Sequence, residues 1–184
     1  MGVISSLKPR IPRPLCKGPD YVLYTDAATS TTRIDALLSQ GNSLPPVALI
    51  LAVSRAPTSW IRRFHHKNLI FGLELLAPLA FIWQHRKLLS GEAINLYIDN
   101  NNVLTSLVRG DSTNSFIAAM VACFWRIAEA FSIDIWLGRV SSKKNPSDLP
   151  TRQAQIPYPV KKRVEFSELF KLLQLTLKWD SFLA

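Results

Sequence analysis

The sequence predicts one α/β domain that opens with an antiparallel meander of strands. Three observations carry this. Strand-like segments follow one another near the start with only short connections between them. Helical and strand patterns then alternate to the end of the domain. The chain has 184 residues, 48 % of them hydrophobic, which suffices for one domain with a real core.

YVLYTDA alternates and is rich in aromatic and β-branched residues, so a first strand ends near Asp26. RIDALLSQ is a second strand, with Ile34, Ala36 and Leu38 on one face and Asp35, Leu37 and Ser39 on the other. GNSLPP turns the chain into VALILAVSRAP, a buried third strand stopped by Pro57. SWIRRFHHKN is a basic loop with two aromatics, Trp60 and Phe64. From Asn68, a candidate N-cap, NLIFGLELLAPLAFIWQHRKLL is a helix apolar nearly all round, hence deeply buried, with a kink expected at Pro78. AINLYIDN is a fourth strand ending near Asp99. NNVLTSLVRG is a short helix closed by Gly110, and a long amphipathic helix follows from the cap Asn114. IDIWLGRV is a fifth strand. In NPSDLPTR, Asn145 and Pro146 open a last short helix with Asp148 in its first turn. SELFKLLQLTLKWDSFL has helical spacing, with Leu169, Leu172, Leu173 and Leu177 on one face.

The formal net charge is +9, which favours an anionic partner, nucleic acid before a membrane surface. Cys16 and Cys123 lie far apart and form no CxxC, so no disulfide is expected and a reducing, intracellular compartment fits. The histidines His65, His66 and His85 make no zinc pattern with them. The apolar run Leu69 to Trp83 is broken by Glu74 and Pro78 and is too short to span a bilayer, so no membrane partner is expected. The first residues lack the apolar core of a secretory signal, although Gly2 to Ser6 matches the loose myristoylation pattern.

Four acids stand at telling places. Asp26 and Asp99 end apolar strands, Glu74 lies inside the most apolar helix, and Asp148 opens the last one. Each also has a local explanation: a turn residue for Asp26, an N-cap for Asp99, the helix dipole for Asp148, and an ion pair with Arg33 or Arg139 for Glu74. If the strands ending at Asp26 and Asp99 are neighbours, their carboxylates lie side by side and repel, and a divalent cation resolves the repulsion. Oxygen donors without His or Cys favour Mg²⁺ or Mn²⁺ over Zn²⁺.

At these residues the chain resembles the ribonuclease H domains carried by reverse-transcriptase retroelements. YTDA is similar to the family's first-strand aspartate motif, LELLAPLAFIW to the helix with its glutamate, and LYIDNNNVLTSLVRG to the fourth-strand aspartate and its helix. VSSKKNPSDLPTR resembles the closing N-x-x-D-x-x-[ST]-R motif, the most specific of these pieces. The resemblance spans about Tyr21 to Arg152. It implies a nuclease domain over residues 21–155, preceded by an extended basic, proline-rich lead-in (1–20) and followed by an amphipathic helical tail (156–184). It also implies a five-stranded mixed sheet, the first three strands antiparallel, with helices on both faces.

The activity implied is hydrolysis of the RNA strand of RNA–DNA hybrids with two Mg²⁺ ions, Mn²⁺ substituting, in or beside a reverse-transcriptase polyprotein. The implied metal ligands are Asp26, bridging both ions, Glu74 and Asp99 at one, and Asp148 at the other. Arg62, Arg63, Lys67, Lys143, Lys144 and Arg152 are candidate phosphate contacts, with His65 and His66 in the same loop. Asn100 and Asn101 are candidate donors to the RNA 2′-hydroxyl. The sequence departs from the family pattern twice. The loop before the last motif, LGRVSSKKNPSD, has no histidine, which bears on turnover. The turn after Asp26, AATSTT, has no glycine. Two alternatives share the fold: a binding module with weak or no catalysis, and a DNA-cutting nuclease of the resolvase or integrase type.

Overall fold

The computed structural model describes residues 18–41, 48–56, 58–62, 69–151 and 159–166. The meander forms as its alternation predicts: β1 (Tyr21–Ala28), β2 (Arg33–Gln40) and β3 (Ala48–Arg55) pair antiparallel in succession. The chain then crosses over through helices, so β4 (Ala93–Ile98) lies parallel to β1 and β5 (Asp134–Arg139) parallel to β4. The sheet order is β5-β4-β1-β2-β3-β6, which leaves β1 flanked on both sides.

The sheet has six strands rather than the five expected. The sixth, β6 (Val160–Val164), pairs parallel with β3 inside the stretch assigned to a helical tail. VKKRV lacks alternation because it is an edge strand, and its three central basic residues are exposed. Two residues later Phe166 is fully buried, edge-on to Phe81 with ring centroids 6.5 Å apart. Its N–H donates to Ser54 Oγ at 2.7 Å, and Gln84 Nε2 donates to the Glu165 carbonyl at 2.9 Å. The apolar face proposed for Leu169 to Leu177 lies outside the described residues.

The helix α1 (Thr58–Ile61) occupies the start of the segment expected to be loop. α2 (Leu69–His85) is buried from Gly72 to Ile82, as its all-round apolarity requires, and runs unbroken through Pro78. Its expected cap, Asn68, lies outside the described residues. α3 (Asn101–Arg109) and α4 (Ser115–Ala130) are capped by Asn100 and Asn114, whose side-chain oxygens each accept two backbone N–H bonds. Gly110 ends α3 at φ 72°, the left-handed conformation that favours glycine.

α2 and α4 pack together on the sheet face lined by Leu23, Ile34, Ala36 and Leu38, which makes the main core. Leu37 and Leu51 face the other way, with Tyr24 and Val53 against them. A 3-10 turn (Ser142–Lys144) leads to α5 (Asp148–Thr151), which packs on β1 and β2.

Among the described residues no helix is long and apolar enough to cross a membrane. Cys123 is half-buried, and burial pushes its thiol up to about 11, so it stays protonated and inert. Because Phe166 closes the core from beyond the expected domain end, Phe166→Ala should cost about 3–5 kcal/mol. Urea unfolding measures this, and a near-neutral result would show that the β6 segment is dispensable.

Candidate active site

Strand register brings the first two acids together. Tyr21 pairs with Ile94 and Tyr24 with Tyr97, a constant offset of 73 residues. Carried two residues on, the same offset sets Asp26 opposite Asp99, just past the end of β4. One pleat behind them Tyr24 and Tyr97 stack, with centroids 5.2 Å apart and planes 18° from parallel. Gly138 on β5 lies under Tyr97; a Cβ there would come within 2.7 Å of the ring.

Glu74 arrives from α2 and is 9 % exposed. Its carboxyl is pushed up to about 8, first by burial and then by the negative charges of Asp99 and Asp26, while a hydrogen bond from the Asn100 side chain acts the other way. Oε2 has no hydrogen-bond partner. The charges acting on Glu74 are therefore acids of the same group, and not Arg33 or Arg139 as its local explanation would have it. Asn100 has two duties: its oxygen caps α3 through the N–H groups of Asn102 (2.8 Å) and Val103 (3.4 Å), and its side chain also steadies Glu74.

The closing segment is tied to both strands. Ser142 Oγ donates to Asp99 Oδ2 at 2.8 Å, while Asp99 Oδ1 is buried without a hydrogen bond. Asn145 is buried, and its Nδ2 donates to the Thr25 carbonyl at 3.0 Å, one residue before Asp26. Its oxygen accepts from the Ser147 N–H (3.2 Å) and hydroxyl (2.7 Å). The helix proper begins at Asp148 rather than Pro146, but Asn145 still supplies the cap-like acceptor. Asp148 is half-buried at the start of α5, against β1 and β2.

Two features of the candidate site, the tertiary contacts of Ser142 and Asn145 and the place of Asp35, escaped the sequence reading. Ser142 and Asn145 hold the acids in place through contacts 43 and 120 residues away along the chain. Asp35 lies directly opposite Asp26 on β2 and is fully buried. The only trace of it in sequence is its alternation with Leu37 in an otherwise apolar strand. The turn joining them does without glycine by holding Thr32 at φ 52°, where its N–H reaches the Thr29 carbonyl (3.3 Å) and its carbonyl accepts from Ala56 (2.8 Å). A β-branched residue there costs on the order of 1–3 kcal/mol.

Of the candidate phosphate contacts, Arg62, Lys143 and Lys144 are exposed, as is Asn101. Arg63, Lys67, Arg152, His65 and His66 lie outside the described residues, and so does the Trp60 side chain.

The donor set is all oxygen, with unpartnered buried oxygens on Glu74, Asp99 and Asp35. It suits a hard cation such as Mg²⁺. Among the described residues, however, no three of these groups stand close enough to hold one ion between them.

No protein-family model matches the chain, and no curated protein matches it in sequence. Among solved structures it is similar to RNase H1 from the halophilic archaeon Halobacterium salinarum NRC-1, with a TM-score of 0.52 and 15 % identity, over 69 % of this chain and 89 % of that one. It is also matched to the human cytomegalovirus terminase nuclease domain, with a TM-score of 0.34 and 12 % identity, over 89 % of this chain and 79 % of that one. The first of these establishes a ribonuclease H-like fold.

Two outcomes follow from this geometry. Asn145→Ala removes a buried donor and leaves the Thr25 carbonyl unsatisfied, so it should cost about 1–3 kcal/mol in urea unfolding. Glu74 titrates near 4.5 when unfolded and near 8 when folded. The folded state thus keeps a proton that the unfolded state has lost, and stability falls as pH rises across that window. In EDTA, Glu74→Gln should stabilise the protein more at pH 8 than at pH 5, and equal gains at both would refute the coupling.

Proposed function

We propose that the chain is a metal-dependent endonuclease that hydrolyses the RNA strand of RNA–DNA hybrids, derived from a retroelement and working in or beside a reverse transcriptase. One observation carries the reading. The parallel register of β1 and β4, extended two residues beyond its last pair, sets Asp26 beside Asp99, and Glu74 feels the charge of both. The fold shared with an archaeal RNase H1 supports it.

Asp26, Glu74, Asp99 and Asp148 would hold Mg²⁺ or Mn²⁺. Such ions, when bound, acidify the attacking water and stabilise the leaving 3′-oxygen. The protein's own part is placement. Asn100 restrains Glu74, Ser142 restrains Asp99, and Asn145 fixes the turn before Asp148 against the strand that carries Asp26. Exposed Lys143 and Lys144 precede that turn and meet phosphate without reading sequence. The loop offers no histidine as a neutral proton shuttle, so slow turnover is expected.

A second reading, a module that binds hybrids without cutting them, draws on the spread of the acids. A hybrid-cleavage assay with Mg²⁺, Mn²⁺ or EDTA separates the two. Cleavage that needs the metal and falls to background in both Asp26→Asn and Asp99→Asn supports the enzyme; undiminished cutting by either variant sinks it. Duplex DNA should be spared. Lys143→Ala and Lys144→Ala should each weaken hybrid binding whatever its sequence, and lower the salt slope by about 1 where the lysine meets a phosphate.

A further inference from the structure

Asp35 has no exposed surface, and neither of its carboxylate oxygens has a hydrogen-bond partner. Among the described residues the cation beside it is Arg33, whose Nη2 stands 3.9 Å from Oδ1, beyond hydrogen-bond length. A structural ion pair would set the guanidinium fork squarely on the carboxylate. Here the Arg33 Nε is itself buried without a partner. A cap or turn role is ruled out, because Asp35 is the third residue of a strand paired on both sides.

The surroundings of this carboxylate point into the candidate centre. Asp35 pairs directly with Asp26 across β1 and β2, so both side chains leave the sheet on one face. The two carboxyls sense each other's charge. On its other side the register partner is Val53, which offers no donor. α5, which carries Asp148, packs over these two strands. A buried carboxylate in such a place needs a counter-charge, and the nearest one is held too far away to serve well.

We propose that Asp35 is a fifth carboxylate of the cation site, meeting a hard divalent ion shared with Asp26 from the β2 side. Arg33 is then the resident counter-charge when no cation is bound, and it competes with the cation for Asp35. The inference rests on the metal-dependent reading above.

The test uses the full chain, with Mn²⁺ binding followed by calorimetry and by the metal-induced rise in melting temperature, for the parent, Asp26→Asn, Asp35→Asn and Arg33→Met. Expected are clear binding by the parent, loss in Asp26→Asn, and affinity roughly 10–100-fold lower in Asp35→Asn, with a smaller thermal shift. Arg33→Met should bind Mn²⁺ more tightly than the parent. If Asp35→Asn binds like the parent while Asp26→Asn does not, Asp35 is no ligand and the metal reading survives alone. If the parent itself binds no Mn²⁺, both fall. Should Asp35→Asn not fold, Arg33→Met decides: tighter binding supports the ligand role, and unchanged affinity with lost stability assigns the pair to structure and overturns it.

Discussion

The burial of carboxylates, with one another's charge added to it, is the constraint on which the site depends. Asp26, Asp35 and Glu74 are all buried, and each raises or feels the charge of another. In a medium less polarisable than water a charged carboxylate is costly, and so is its repulsion by a second one. The fold answers by putting the acids on elements that cannot easily separate. β1 is flanked on both sides, and α2 is buried along most of its length. A strand at the sheet edge or a helix on the surface would yield to the same force. Asp26, Asp35 and Glu74 are held by an interior part of the sheet and a helix buried over most of its length.

Relief comes from the periphery in small amounts. Asn100 gives Glu74 one hydrogen bond, Ser142 gives Asp99 another, and Arg33 lies at the limit of an ion pair with Asp35. Protonation of Glu74 and Asp35 near neutral pH supplies the rest. Asn145 acts differently: it bonds the backbone beside Asp26 and not an acid, so it fixes position without neutralising anything. Two kinds of side chain thus surround the centre, some moderating charge and one setting distance.

The elements were legible where a single period or cap determined them. The alternation in RIDALLSQ placed Leu37 and Leu38 on the faces where the structure has them. Asn114 and Gly110 marked helix ends through backbone chemistry that acts within a few residues. β6 was not legible, because an edge strand with three exposed basic residues has no alternation to show. The face of Asp35 was readable but its partner was not, since pairing it with Asp26 requires the register, which the length and conformation of the AATSTT turn decide. The Asn145 bond to Thr25 spans 120 residues, and no local pattern encodes such a contact. The four acids themselves were proposed from resemblance and position; the coupling of Glu74 to Asp26 and Asp99 was visible only once the elements were in place.

The charge distribution links metal and substrate. The chain is strongly basic overall, and Arg62, Lys143 and Lys144 are exposed, a surface that under the proposed function would draw a polyanion. The buried acids oppose the last step of that approach, because a phosphate brought to Asp26 and Asp99 meets like charge. A divalent cation reverses the sign of that local field. Metal and nucleic acid should therefore favour each other's binding. The coupling must be reciprocal, since each changes the free energy of the other by the same amount. Under the proposed function, an acidic centre inside a basic protein is then no contradiction: the lysines would bring the backbone near, and the cation would admit it.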